Sequence, residues 1–406
     1  MRFLIVLAAS AVLAGCSSSG DLKPEKLLDI DNKVEFDQVW SKDAGSIDNK
    51  RYNLIQPAYS RGRVVLMDAR GYVSAYDSET GDRLWRVRLK EPVTYDIERR
   101  WYRPGTWMRK DDKPVPTSGG VGIFDDAVAV GSYEGQVFLL DAETGEERWR
   151  QQVSSEVLSA PQPNDDVVVV HTVDGKIHGL DLATGEKRWQ YDNPQAVLSL
   201  RGSASPLVTP SMVVAGFDNG KIAAINPDNG VAMWDQRVAI PKGRTEFERV
   251  VDVDGTPLMV GDLIFAASYQ GRIVALSRAA GRGIWAQDVS THSNLASNGS
   301  AVFVTTDDDS LVAFNIANGE EVWTNDQMLH RSLTGPAYLS GFVVVADADG
   351  HLHVLDASNG EYLARKKIDG SGVNSPLSVM GDKLLVLDND GRLHVLTLSE
   401  ITEQDD

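Results

Sequence analysis

One fifteen-residue pattern recurs along this chain: a hydrophobic strand, a turn built on aspartate and glycine, and a second strand that carries tryptophan. It reads GYVSAYDSETGDRLW at 71–85, GQVFLLDAETGEERW at 135–149, GKIHGLDLATGEKRW at 175–189, GKIAAINPDNGVAMW at 220–234, GRIVALSRAAGRGIW at 271–285 and DSLVAFNIANGEEVW at 309–323. A seventh copy, GHLHVLDASNGEYLA at 350–364, ends in Ala364 where the others have tryptophan. An eighth, GRLHVLTLSE from Gly391, stops before its tryptophan strand. The starts are separated by 64, 40, 45, 51, 38, 41 and 41 residues. That is the period of a four-stranded propeller blade.

The copy at 175–189 shows why the pattern is a hairpin. Ile177 and Gly179 fall on one strand face, His178 and Leu180 on the other. Asp181 and Thr184 can bond the turn backbone, and Gly185 can take a positive φ that a Cβ would penalise. The sequence between copies supplies two more strands. Each is entered through a small residue and a proline, as in Ala160-Pro161, Ser205-Pro206, Thr256-Pro257, Gly335-Pro336 and Ser375-Pro376. An aliphatic run such as Val167 to Val170 follows, and then Asp-Gly or Asn-Gly pairs that favour the hairpin turn.

The eighth copy lacks a tryptophan strand, while VEFDQVWS at 34–41 is a tryptophan strand without a hairpin before it. Joining the two completes a blade around Trp40 and removes both open sheet edges. The expected fold is therefore all-β: an eight-bladed propeller of four-stranded antiparallel blades over 34–398, closed by pairing of the terminal strands. Trp85, Trp149, Trp189, Trp234, Trp285 and Trp323 are expected to pack between blades, each burying on the order of 150–250 Å² and bonding a neighbour's backbone. At Ala364 the smaller contact would fall to Tyr362 or Leu363.

The formal net charge of −18 disfavours nucleic acid or an anionic lipid surface as partner. Cys16 is the only cysteine, which excludes an internal disulfide and a cysteine-based metal cluster. Phe3 to Val12 is an apolar run after Met1-Arg2, too short to span a bilayer and of signal-peptide length. Leu13-Ala14-Gly15-Cys16 follows it and resembles a bacterial lipobox. The resemblance implies a signal peptide over 1–15, lipid on Cys16, and, with Ser17 rather than aspartate next, an outer-membrane destination. Residues 16–33 are expected to form a flexible tether and 399–406 an acidic tail.

Function is sought where the repeat is broken. The longest interval holds Arg99, Arg100, Trp101, Tyr102, Arg103, Trp107, Arg109, Lys110 and Lys113 within 90–120. That segment is either a solvated loop or a second contact site, since Trp, Tyr and Arg are favoured at hot spots. Two further departures share a register: Arg201 stands five residues before Pro206, and Asp252 five before Pro257, with Asp254 two residues on. Leu198, Leu200, Arg201, Asp252 and Asp254 form one rim patch in this reading. An interblade salt bridge beside ordinary core leucines is the structural alternative.

The aspartate-rich turns at 307–309, 347–350 and 388–391 lack the glutamate of a calcium loop, so hairpin turns explain them. His351 and His353 share a strand face, with His394 at the matching position of the next copy. Packed channel-side histidines are favoured there over a zinc site. No phosphate loop, GxSxG elbow or HExxH is present in the sequence. Neither a catalytic residue nor a cofactor is assigned.

The lipobox and the eight tryptophan-motif blades together resemble the BamB family of outer-membrane assembly lipoproteins, which has propeller repeats like those of quinoproteins. LSLRG at 198–202, TEFERV at 245–250, DVDGTP at 252–257 and MLHRSLTGP at 328–336 carry the resemblance. It implies a non-catalytic scaffold of the β-barrel assembly complex on the periplasmic side of the outer membrane, anchored in its inner leaflet. In that family Leu198, Leu200, Arg201, Asp252 and Asp254 correspond to residues that dock on the periplasmic domains of BamA, and unfolded β-barrel proteins are the substrates. The chain would be a monomer within a hetero-complex. The blade motif also resembles the quinone-dependent dehydrogenases, but those need an adjacent cysteine pair that Cys16 alone cannot supply. A propeller binding a small ligand or peptidoglycan is the third possibility.

Overall fold

The computed structural model describes residues 23–47, 55–90, 115–194, 204–239, 244–245 and 250–401. They form eight four-stranded antiparallel sheets arranged as a ring, an eight-bladed propeller. Blades 1 to 7 take residues 58–88, 117–152, 162–192, 207–237, 258–287, 296–325 and 337–367 in order. In blade 3, β10 (Gln162–Pro163), β11 (Val167–Thr172), β12 (Lys176–Asp181) and β13 (Lys187–Asp192) follow one another from the centre outward. Innermost strands of neighbouring blades touch, as β10 does the first strands of blades 2 and 4.

Blade 8 closes the circle as the sequence requires. β1 (Val34–Asp43) pairs antiparallel with β32 (Arg392–Glu400), which pairs with β31 (Lys383–Leu387) and then β30 (Ser378–Met380). The first and last strands of the described chain thus share one sheet, and each of the eight blades has its four strands.

Seven tryptophans join the blades by one repeated geometry. The indole N–H of Trp40, Trp85, Trp149, Trp189, Trp234, Trp285 and Trp323 donates to the carbonyls of Ser78, Ala142, Leu182, Pro227, Arg278, Ile316 and Ala357, always in the following blade. The interblade role expected for the six repeat tryptophans is observed, and Trp40 shares it. A register shift just before each of these tryptophans leaves one residue unpaired, as with Arg188 between Lys187 and Trp189. Such a bulge twists the strand and re-aims the side chain after it. Trp189 can then lie on Gly179 across the hairpin, where a Cβ would stand 2.1 Å from the ring.

Each ring also covers the turn glycine of the next blade. Trp149 lies over Gly185, which has φ of +75° and whose Cβ would stand 2.7 Å from the indole. Asp181 holds that turn by accepting bonds from the backbone N–H of Ala183 and Thr184.

This geometry explains Ala364. The next blade is blade 8, whose third and fourth strands come from opposite ends of the chain. It therefore has no hairpin turn for a tryptophan to cap. Ala364 is fully buried in a cluster with Leu363, Phe36 and Leu396. Leu363 fills the contact as expected, joined by Phe36 from β1. Tyr362 packs the other way, against the cluster of Trp323.

Of the expected tether, residues 23–33 are described, and they lie along blade 7 held by hydrogen bonds. Asn32 bonds the backbone of the outer strand, and Leu27 and Ile30 lie partly buried beside Tyr362 and Arg365. Cys16 lies outside the described residues.

Candidate interaction face

Alternating strand direction gives the disc two different faces. One carries the first-to-second and third-to-fourth turns of every blade. The other carries the second-to-third turns and the long crossings from each outermost strand to the next blade. Residues 89–116, 193–206 and 238–257, where the repeat is broken, are all crossings. Of the departures singled out in the sequence, residues 250–257 are described and lie on this face; 91–114, 195–203, 240–243 and 246–249 lie outside the described residues.

In six of the eight blades a backbone bond of one spacing ties the turn on this face to the crossing that enters its blade. Tyr133 N donates to Pro116 O, Val173 to Glu156, Tyr269 to Asp252, Asp307 to Ser290, Ala348 to Arg331 and Asn389 to Gly372, each seventeen residues upstream. Asp252 thus occupies a fixed position in the repeat, and Arg331 occupies the same position at the entry to blade 7. Arg331 was not among the residues picked from the sequence. Its standing five residues before Pro336, like Asp252 before Pro257, was the signal that could have found it.

Residues 250–257 form no strand; the chain becomes extended only at β18 (Leu258–Val260). They are wedged between blades 4 and 5. Val253 N donates to Phe217 O at 3.2 Å, and Asp252 O accepts from Tyr269 at 2.9 Å. Thr256 N reaches Asn294 Oδ1 at 2.9 Å. Asp252 is fully buried and Asp254 is 7% exposed, so both carboxyls lie inside the rim rather than on its surface. Burial pushes the Asp254 carboxyl up to about 7, reinforced by the charge of Asp252 and opposed by His292. His292 Nδ1 stands 3.0 Å from Asp307 Oδ1, a bond that raises its own pKa. Leu198, Leu200 and Arg201 lie outside the described residues, as do Arg99, Arg100, Trp101 and Trp107.

On blades 7 and 8 the same face holds the histidines. Asp347 Oδ1 accepts the backbone N–H of Asp349 and His351, and its Oδ2 faces His353 Nε2 at 3.0 Å. Asp388 repeats this with Asp390, Arg392 and His394. The other ring nitrogen of His353 meets the Tyr362 hydroxyl. His353 is thus packed and doubly partnered, and burial lowers its pKa.

Asp347, Asp349 and His351 are close enough together to hold a metal ion. The Arg331 guanidinium already bridges the two carboxylates of that cluster, with Nη2 at 2.8 Å from Asp347 and 2.6 Å from Asp349. Burial alone would raise the Asp347 carboxyl. Bonds from His353, the His351 backbone and Arg331 instead hold it well below the ordinary range. The chemistry on this face is that of a buried polar network, partnered around Asp347 and leaving His394 Nδ1 without a hydrogen-bond partner.

Comparison with known proteins fits this arrangement. The family model described as outer membrane protein assembly factor BamB matches residues 69–325 and 308–402. The Pseudomonas aeruginosa protein of that name is 37% identical over 395 residues, covering 97% of this chain and 98% of its own. The Escherichia coli protein is 33% identical over 395 residues, covering 96% and 97%. The crystal structure of BamB from Moraxella catarrhalis superposes with a TM-score of 0.77 at 28% identity, over 89% of this chain and all of that one. A quinohemoprotein alcohol dehydrogenase from Comamonas testosteroni shares the propeller fold, with a TM-score of 0.66 at 16% identity over 91% of this chain and 78% of its own.

Proposed function

The chain belongs to the BamB family of outer-membrane protein assembly factors, and from that premise we propose that it is a non-catalytic scaffold of the β-barrel assembly complex. Its task is to orient BamA's periplasmic domains while β-barrel proteins fold and insert. The supporting observation is a closed ring whose second-to-third turns share one face with the described crossings, residues 250–257 among them. Closure fixes the spacing of these loops, so a partner that touches two of them is held in one orientation.

Lipid on Cys16 anchors the disc at the periplasmic side of the outer membrane; two or three acyl chains hold stably where one is marginal. Leu198, Leu200 and Arg201 supply the contact to BamA in this reading. Asp252 and Asp254, buried as they are, act by setting the shape of the neighbouring loop. Arg99, Arg100, Trp101 and Trp107 provide a second contact in this reading.

Capture of BamA's periplasmic domains by Arg201→Glu and Asp252→Lys variants tests the assignment. Arg201→Glu should lose capture while keeping the wild-type circular dichroism, and Asp252→Lys should lose it through displacement of the loop that Asp252 supports. Undiminished capture by both would remove these residues from the interface.

A further inference from the structure

We infer that the chain leaves the disc toward its membrane anchor at the crossing face of blade 7, which puts the membrane and the candidate interaction face on the same side of the disc. The inference rests on the lipid-anchor reading of Cys16 and adds an orientation to it.

Residues 23–33 trace a path along β29 (Tyr362–Lys367), the outermost strand of blade 7. Lys33 N donates to Leu363 O at 2.8 Å. Asn32 Oδ1 accepts from Arg365 N at 3.0 Å, while Asn32 Nδ2 donates to Arg365 O at 3.2 Å. Arg365 Nη2 donates to Leu28 O at 2.9 Å. Glu25 N then reaches Leu329 O, and Arg331 Nη1 donates to Glu25 O at 3.0 Å. Leu329 and Arg331 belong to the crossing that enters blade 7. Followed backward from Lys33, the segment thus climbs from the level of the third-to-fourth turn to the crossing face.

Burial marks the end of that path, where it enters β1. Leu84, Met233, Ile284 and Val322 stand just before their tryptophans and are 44–49% exposed, whereas Leu363 at the matching position is 8% exposed. Val34 and Phe36, which continue the segment into β1, share its cluster.

Docking shortens the free leash. From Lys33 to Cys16 an extended chain could reach about 60 Å, enough to leave the disc past either face. From Lys23 it reaches only about 25 Å, starting on the crossing face. Arg331 links the two roles: it pairs with Asp347 and Asp349 and also holds Glu25.

The test uses the full lipidated protein on vesicles that carry nitroxide-labelled phospholipids. Lipid occupies the sulfur of Cys16, so an introduced cysteine is the sole free thiol for a fluorophore. Lys367→Cys marks the crossing-face end of β29, and Asn359→Cys marks the opposite face of the same blade. Quenching should be severalfold stronger at 367, and equal or reversed quenching would overturn the inference. An Asn32→Ala/Arg365→Ala chain should lose the contrast; a contrast that persists would remove the docked segment as its cause. Cys16→Ser should abolish vesicle binding, and a Cys16→Ser chain that still binds would refute the anchor reading itself.

Discussion

Trp323 donates its indole N–H to the carbonyl of Ala357 at 3.1 Å, and its ring lies 2.6 Å from where a Cβ on Gly360 would stand. Blade 6 is thereby fixed to the turn of blade 7 by a bond and a stack at once. Trp323→Ala should cost about 3–5 kcal/mol through the cavity it leaves. Gly360→Ala, at φ of +71°, should cost about 1–3 kcal/mol from strain and overpacking. Urea unfolding with unchanged m-values measures both.

Restoring the repeat consensus at Ala364 should harm the fold. The residue is fully buried and faces a blade with no turn to cap, so Ala364→Trp should destabilise by about 1–3 kcal/mol. A stabilised Ala364→Trp protein would show that the closing blade accepts a ring like the others.

The Asp254 carboxyl, raised to about 7, sets a sign for stability against pH. Below the ordinary carboxyl pKa the group is protonated in both the folded and unfolded chain and costs nothing. As pH rises toward 7 the unfolded chain ionises first, so folded stability falls, and above 7 the penalty is complete. Asp254→Asn should flatten this fall between pH 4 and 7 and raise stability at pH 8 by roughly 1–3 kcal/mol. Thermal unfolding across that range, with His292 and Asp252 left intact, is the measurement.

Arg331 and Asp347 form a buried pair. Removing one partner strands the other, so Arg331→Met alone should cost about 3–5 kcal/mol, and the Arg331→Met/Asp347→Leu double variant clearly less than the sum of its singles. A double-mutant cycle with additive costs would dissolve the pair.

The repeat made the architecture legible. Its period fixed four strands per blade, Trp40 and the truncated copy at Gly391 closed the ring, and the tryptophans told which contacts join the blades. Ala364 stood out as an exception, but its cause is non-local: the missing turn lies across the seam between the two chain ends. The burial of Asp252 and Asp254 was hidden for a similar reason. It arises from Phe217 and Tyr269 in two different blades, and no local period records that contact. Docking of residues 23–33 was hidden too, since it depends on Leu329, Arg331 and Arg365, some three hundred residues away. The position shared by Arg331 and Asp252 could have been read from proline spacing alone.

Hydrogen–deuterium exchange of the disc, with and without BamA's periplasmic domains, tests the central claim most directly. The account predicts new protection in the crossings at 195–203 and 250–257, with none at the third-to-fourth turn of residues 181–185 on the other face. Protection confined to that opposite face, or no protection on either, would contradict it.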